Sequence, residues 1–135
     1  MTYYVPADFP FDGTNPRMVR ATDVQAVAIV EFLGMVAVQF GTPNDEVLSG
    51  HPLAQRGLEP YAAHRVENST WIRQLEDINR VHPGFSGDSW QSLRHYLFAF
   101  HDETFECVAD DHRVTIEQGS IRSVALRLAE EATQS

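Results

Sequence analysis

The segment His95-Tyr96-Leu97-Phe98-Ala99-Phe100-His101-Asp102-Glu103-Thr104-Phe105-Glu106-Cys107-Val108 sets the architecture. Two apolar runs flank a short polar stretch, the pattern of a β-hairpin. With Asp102-Glu103 as the turn, His101 pairs with Thr104, Phe100 with Phe105, Ala99 with Glu106 and Phe98 with Cys107. Side chains alternate sides along a strand, so Tyr96, Phe98, Phe100, Phe105 and Cys107 share one face. His95, Leu97, Ala99, His101, Glu106 and Val108 share the other. The first is a core face. The second sets two imidazoles and a carboxylate among small residues, as the floor of a shallow pocket or as an ordinary wet surface.

Downstream, Asp110-Asp111 turns the chain and Arg113–Glu117 reads as a third strand, completing a meander over residues 93–117. Ser120 then caps a helix with Ile121, Val124, Ala125 and Leu128 on one side. Upstream, Phe85–Gln91 reads as a loop. The spacing predicts a helix over Trp71–Val81, capped by Ser69 or Thr70, with Trp71, Leu75, Ile78 and Val81 as its apolar stripe and Pro83-Gly84 as its stop. Between Glu46 and Asn68, Gly50, Pro52, Gly57 and Pro60 mark a long connection. Ala26–Phe40 is rich in β-branched residues and reads as a strand bent or bulged at Gly34. A helix is its rival, since Thr22 and Gln25 have capping-box spacing. Residues 1–21, with Pro6, Pro10, Asp12-Gly13 and Asn15-Pro16 among aromatics, read as an irregular arm. The expected fold class is α+β: one domain over residues 22–135, an antiparallel sheet packed with two helices, open or curled into a half-open barrel.

The 135 residues carry nineteen acidic and ten basic side chains, a formal charge of -9. Every base is an arginine, and no run of them forms a stripe, so a phosphate backbone would be repelled and nucleic acid is not an expected partner. No secretory leader and no apolar span long enough for a bilayer is legible, so no membrane role is expected. Cys107 is the only cysteine, which suits a reducing cytoplasm.

Six histidines give the chain its candidate chemistry, because imidazole titrates near neutrality and ligates metals. None has the spacing of a recognised metal motif. In the register above, His101 and Glu106 are diagonal neighbours; joined by His95 or His51 they would form an acid–base pair or an open metal site, of unknown metal. His51 sits in Ser49-Gly50-His51-Pro52, where the backbone is tightly fixed, as suits a positioned side chain or a plain turn. Glu67-Asn68-Ser69-Thr70 precedes a helix N-terminus, where backbone N–H groups could hold a ligand carboxylate; helix capping explains Asn68, Ser69 and Thr70 equally well. His82 falls in that helix's last turn, and His64 and His112 read as surface residues. Cys107 lies on the aromatic face and reads as a buried apolar group rather than a nucleophile.

The motifs Ser49-Gly50-His51-Pro52-Leu53, Glu67-Asn68-Ser69-Thr70-Trp71 and Phe100-His101-Asp102-Glu103-Thr104-Phe105-Glu106-Cys107 resemble those of a set of small uncharacterised bacterial proteins, over roughly residues 25–110. The resemblance implies a bacterial, single-domain cytoplasmic protein. It carries no activity, cofactor or catalytic residue.

Two functions are therefore expected. One is a small-molecule binding protein or small enzyme, with His101, Glu106 and His51 catalytic and His95, Glu67 and Asn68 binding the ligand. The other is a non-catalytic accessory or immunity-type protein that docks a larger protein or a second copy of itself. Convergence of those six side chains on one concavity separates the two.

Overall fold

The computed structural model describes residues 2–4 and 21–134. In chain order the strands are β1 (Thr2–Tyr4), β2 (Gln25–Leu33), β3 (Ala37–Gly41), β4 (Ala63–Val66), β5 (Arg94–Ala99), β6 (Thr104–Ala109) and β7 (Asp111–Gly119). The helices are α1 (Thr70–Asn79), the single turn α2 (Asp88–Gln91) and α3 (Ile121–Gln134). Two compact units result, Met1–Glu31 with Arg113–Ser135, and Phe32–His112. No helix among the described residues is long and apolar enough to cross a membrane.

The first unit holds a three-stranded sheet in the order β1-β2-β7, with β1 antiparallel to β2. Of the irregular arm expected over residues 1–21, Thr2–Tyr4 supplies this edge strand, and residues 5–20 lie outside the described residues. Val27, Ala28 and Val30 are buried. Helix α3 lies against β1. Its first turn is capped by Ser120, whose Oγ accepts from the Ser123 amide at 3.1 Å. Val124 is its buried anchor, with Ile121 and Leu128 half-buried and Ala125 exposed.

The second unit is built on a four-stranded antiparallel sheet in the order β3-β6-β5-β4. Its α+β character and antiparallel hairpin are as the sequence predicts, but the pairing differs in detail. Leu97, not Ala99, lies opposite Glu106, and Phe98 lies opposite Phe105. The tip is His101-Asp102, closed by the Phe100 amide donating to the Glu103 carbonyl at 2.9 Å. Moving a hairpin tip by one residue changes every cross-strand partner by two positions, so the sidedness survives.

The aromatic face is closed by Phe32, whose ring lies 5.4 Å from Tyr96, 6.0 Å from Phe98 and 5.6 Å from Phe105. Cys107 is fully buried on this side. On the other face Leu97 and Ala99 pack with Leu48, and Leu53, Leu58 and Val66 gather round them. Those leucines come from the Gly- and Pro-punctuated connection, which folds into two 3-10 turns, Asp45–Gly50 and Ala54–Arg56. With both faces covered, β5 is buried from His95 to Ala99.

Three expectations are corrected. The segment Arg113–Glu117 is a strand, but within β7 it joins β2 rather than extending the hairpin into a meander, and both sheets stay open rather than curling into a barrel. The connection contains the short edge strand β4, whose polar His64 and Arg65 hide its identity, and the loop before β5 contains α2. Helix α1 ends at Asn79, before Val81, and Ile78 within it is exposed, so the apolar side chains it covers are Trp71, Ile72 and Leu75, each half-buried. The bend at Gly34 is present: φ is 62°, and a Cβ there would collide with the Asp110 carboxylate.

Candidate functional site

Strand β5 delivers His95 to the non-aromatic face, 4 % exposed, and β6 delivers Glu106 to the same face. Because Glu106 is opposite Leu97, its diagonal neighbour is His95, two residues along. His95 Nε2 donates to Glu106 Oε1 at 2.8 Å. The other carboxylate oxygen, Oε2, accepts from His51 Nε2 at 3.0 Å. His51 is placed by its rigid loop: its amide bonds the Leu48 carbonyl, its carbonyl accepts from the Ala54 amide, and its Nδ1 accepts from the Leu53 amide at 3.0 Å. That last bond fixes the tautomer, leaving the ring proton on Nε2 to face Glu106.

Ser69 supplies the opposite end. It caps α1, its Oγ accepting from the Ile72 amide at 3.2 Å, and it is 7 % exposed. The same Oγ lies 2.8 Å from His95 Nδ1. With Nε2 carrying the ring proton toward the Glu106 carboxylate, Nδ1 is the acceptor of the neutral ring, so the Ser69 hydroxyl donates to it. Trp71, one turn-start further on, sets its ring edge-on to His95 with centroids 5.1 Å apart. The result is a series, buried at Ser69 and His95 and half-buried at Glu106 and His51, in which Ser69 donates to His95, His95 donates to Glu106, and His51 donates to Glu106 from the far side.

Glu106 is subject to opposed influences. Burial, the largest of them, disfavours its charged form, but the hydrogen bonds and the electrostatic attraction of the His95 and His51 ring N–H groups together outweigh it and hold the carboxyl below its ordinary value. Both oxygens are thereby committed. Among the described residues no group of three or more His, Cys, Asp and Glu side chains is disposed to hold a metal ion.

Beside this series a cavity of about 570 Å³ opens, walled by β4, the start of α1 and the segment that enters β5. Ser69 lines it, as do Glu67 and Asn68. The structure therefore brings His51, His95 and Glu106 into one hydrogen-bonded group, and sets Glu67 and Asn68 on the wall of the cavity that Ser69 shares with that group. Glu67 turns to Arg65, Oε1 to Nε 2.9 Å, and Asn68 takes a left-handed backbone with φ 52°.

His101 is not brought in. It occupies the exposed hairpin tip, with Nδ1 2.8 Å from the Asp102 carboxylate and Nε2 3.9 Å from Asp45. The hydrogen bond to Asp102, then the charge of Asp45, raise its pKa. The expected His101–Glu106 neighbours are replaced by His95–Glu106, a consequence of the shifted tip. The remaining histidines serve local turns and contacts: His64 accepts from the Glu59 amide, His82 from the Gly84 amide, and His112 meets the Tyr96 hydroxyl.

Sequence reasoning missed the double role of Ser69 and the basic wall of the cavity, made by Arg65, Arg73 and Arg94. The cap at Ser69 was legible; that His95 faces it from another element was not. Cys107 is inert: burial pushes its thiol up to about 12.

Compared with protein-family models, with curated proteins and with solved structures, the chain matches none.

Proposed function

We propose that this is a small-molecule binding protein of the cytoplasm, built so that acid–base chemistry is available at the wall of its cavity. The observation that carries the reading is that Ser69 lines the cavity and also donates to His95 at 2.8 Å. His95 is itself buried, so a bound molecule meets the series through the Ser69 hydroxyl. In an enzymatic form His95 would accept a proton passed through that hydroxyl, Glu106 would stabilise the resulting imidazolium, and His51 would hold Glu106 in place. His101 has no part in this.

The test is amide chemical-shift mapping with a library of metabolites. Saturable shifts at Ser69–Ile72 and at Gln91–Arg94 are expected, weakened in Ser69→Ala. A library that moves no amide around the cavity overturns the reading.

A second reading, docking of a protein partner, is favoured by one observation: Val36, Val38 and Phe40, on and beside the edge strand β3, are large, apolar and exposed. Such an edge is open to pairing with another strand. Light scattering of the purified protein, alone and as a Phe40→Lys variant, tests it; a monomer at every concentration that recruits no partner removes its support.

A further inference from the structure

The electrostatics of the cavity point to the chemistry of its occupant. Among the described residues, three of the ten bases of a chain with formal charge -9 line this one cavity, against a single acid, Glu67. Their partners do not balance. Arg65 is matched by Glu67 at 2.9 Å. Arg94 spends Nη1 on the backbone carbonyls of Ser92 and Asp110, at 3.1 and 2.9 Å, and forms no ion pair among the described residues. The Asp110 carboxylate is turned instead to the Ser92 hydroxyl, 2.7 Å away. The Arg73 side chain makes neither hydrogen bond nor ion pair among the described residues. Two guanidinium groups thus have no acidic partner among the described residues, in a chain whose acids outnumber its bases nineteen to ten. Val66, Ile72 and Leu93 supply apolar wall between the charges.

We infer that the cavity takes a small organic anion, a carboxylate or phosphate monoester, with its head group on Arg73 and Arg94 and a short apolar body against Val66, Ile72 and Leu93. Guanidinium binds both head groups through paired N–H donors, and such charge-assisted bonds are the strong ones. Asn68 and the Ser69 hydroxyl lie on the same wall, within the range of polar groups that fix a ligand's orientation. The inference rests on the reading of the cavity as a ligand site and adds the class of ligand.

The probes are hexanoate, hexyl phosphate and hexanol, titrated at low salt into the full chain while the Ser69–Ile72 and Gln91–Arg94 amides are followed by NMR. Saturable shifts with one or both anions are expected, and hexanoate against hexyl phosphate separates the two head groups. Hexanol, which lacks the charge that both guanidiniums recognise, is expected to bind about a hundredfold more weakly, and Arg73→Gln, which removes one of the two charge-assisted interactions, to weaken the anions by about tenfold. Arg73 is exposed, so that variant keeps its fold; Arg94→Gln is the second variant. Hexanol binding as well as hexanoate, or anion binding unchanged in both arginine variants, overturns the anion inference and leaves the cavity as a ligand site. Shifts that are absent from the cavity with all three probes overturn both.

Discussion

His95 reaches Glu106 diagonally across the hairpin, Nε2 to Oε1 2.8 Å, while Leu97 holds the position directly opposite. The leucine anchors the apolar cluster and the histidine, two residues earlier on the same strand face, starts the polar one. The hydrophobic and the hydrogen-bonded groups are thus neighbours on one strand face, and the half-buried Glu106 carboxylate is compensated there by two imidazole N–H groups.

Glu106 makes stability depend on pH in a defined direction. Its folded carboxyl titrates below the ordinary 4.5, so the ionised form favours folding above that value, and the contribution is lost as pH falls through the lower folded value. Glu106→Gln removes it and turns an amide N–H toward an imidazole donor, costing about 1–3 kcal/mol at neutral pH. In urea unfolding over a pH series, the gap between the two proteins is expected to close below pH 4.5. A gap that stays constant into the acid range contradicts the assignment.

Ser69→Ala removes a helix cap and leaves His95 Nδ1 without its donor. The cap alone accounts for roughly 1–2 kcal/mol. Ser69→Thr keeps the oxygen and is expected to recover most of it. Denaturant midpoints measure the loss, and a change in the His95 ring resonances separates the broken bond from simple fraying of α1. Equal stability of the alanine variant would remove Ser69 from the series.

The Cys107 thiol, pushed up to about 12 by burial, is expected to stay unmodified by a disulfide reagent in the native protein and to react at once in denaturant. Rapid reaction under native conditions would contradict its burial opposite Tyr96 on the hairpin.

Gly34→Ala meets both a left-handed backbone and the Asp110 carboxylate, and is expected to cost about 1–3 kcal/mol. Gly50→Ala is the control, since a Cβ there meets nothing within 4 Å and needs no unusual φ. Thermal unfolding of both variants tests the pair; equal effects would show that the bend at Gly34 tolerates any residue.

The sidedness of the hairpin was legible because alternation has a period of two and the aromatic residues obey it. The choice of tip was not, since His101-Asp102 and Asp102-Glu103 are both polar and either leaves the rings together. That single step exchanged His101 for His95 beside Glu106. Strand β4 was hidden for another reason: His64 and Arg65 are polar because β4 is an edge, and an edge strand has no need of a continuous apolar run. The destination of β7 depends on long-range pairing with β2, which no local pattern encodes. The cavity escaped because Arg65, Arg73 and Arg94 come from three separate elements and only meet once these fold.

The hydrogen bonds of the His51, Glu106, His95 and Ser69 series run one way. From the Leu53 amide through His51, and from the Ile72 amide through Ser69 and His95, every proton is aimed at Glu106, the sole terminal sink. An arch of this kind stands only when its keystone is seated: the 3-10 loop, the head of α1 and the hairpin are tied at one carboxylate, though far apart along the chain. The exchange rates of the Leu53 and Ile72 amide protons, which share no contact, should therefore rise and fall together.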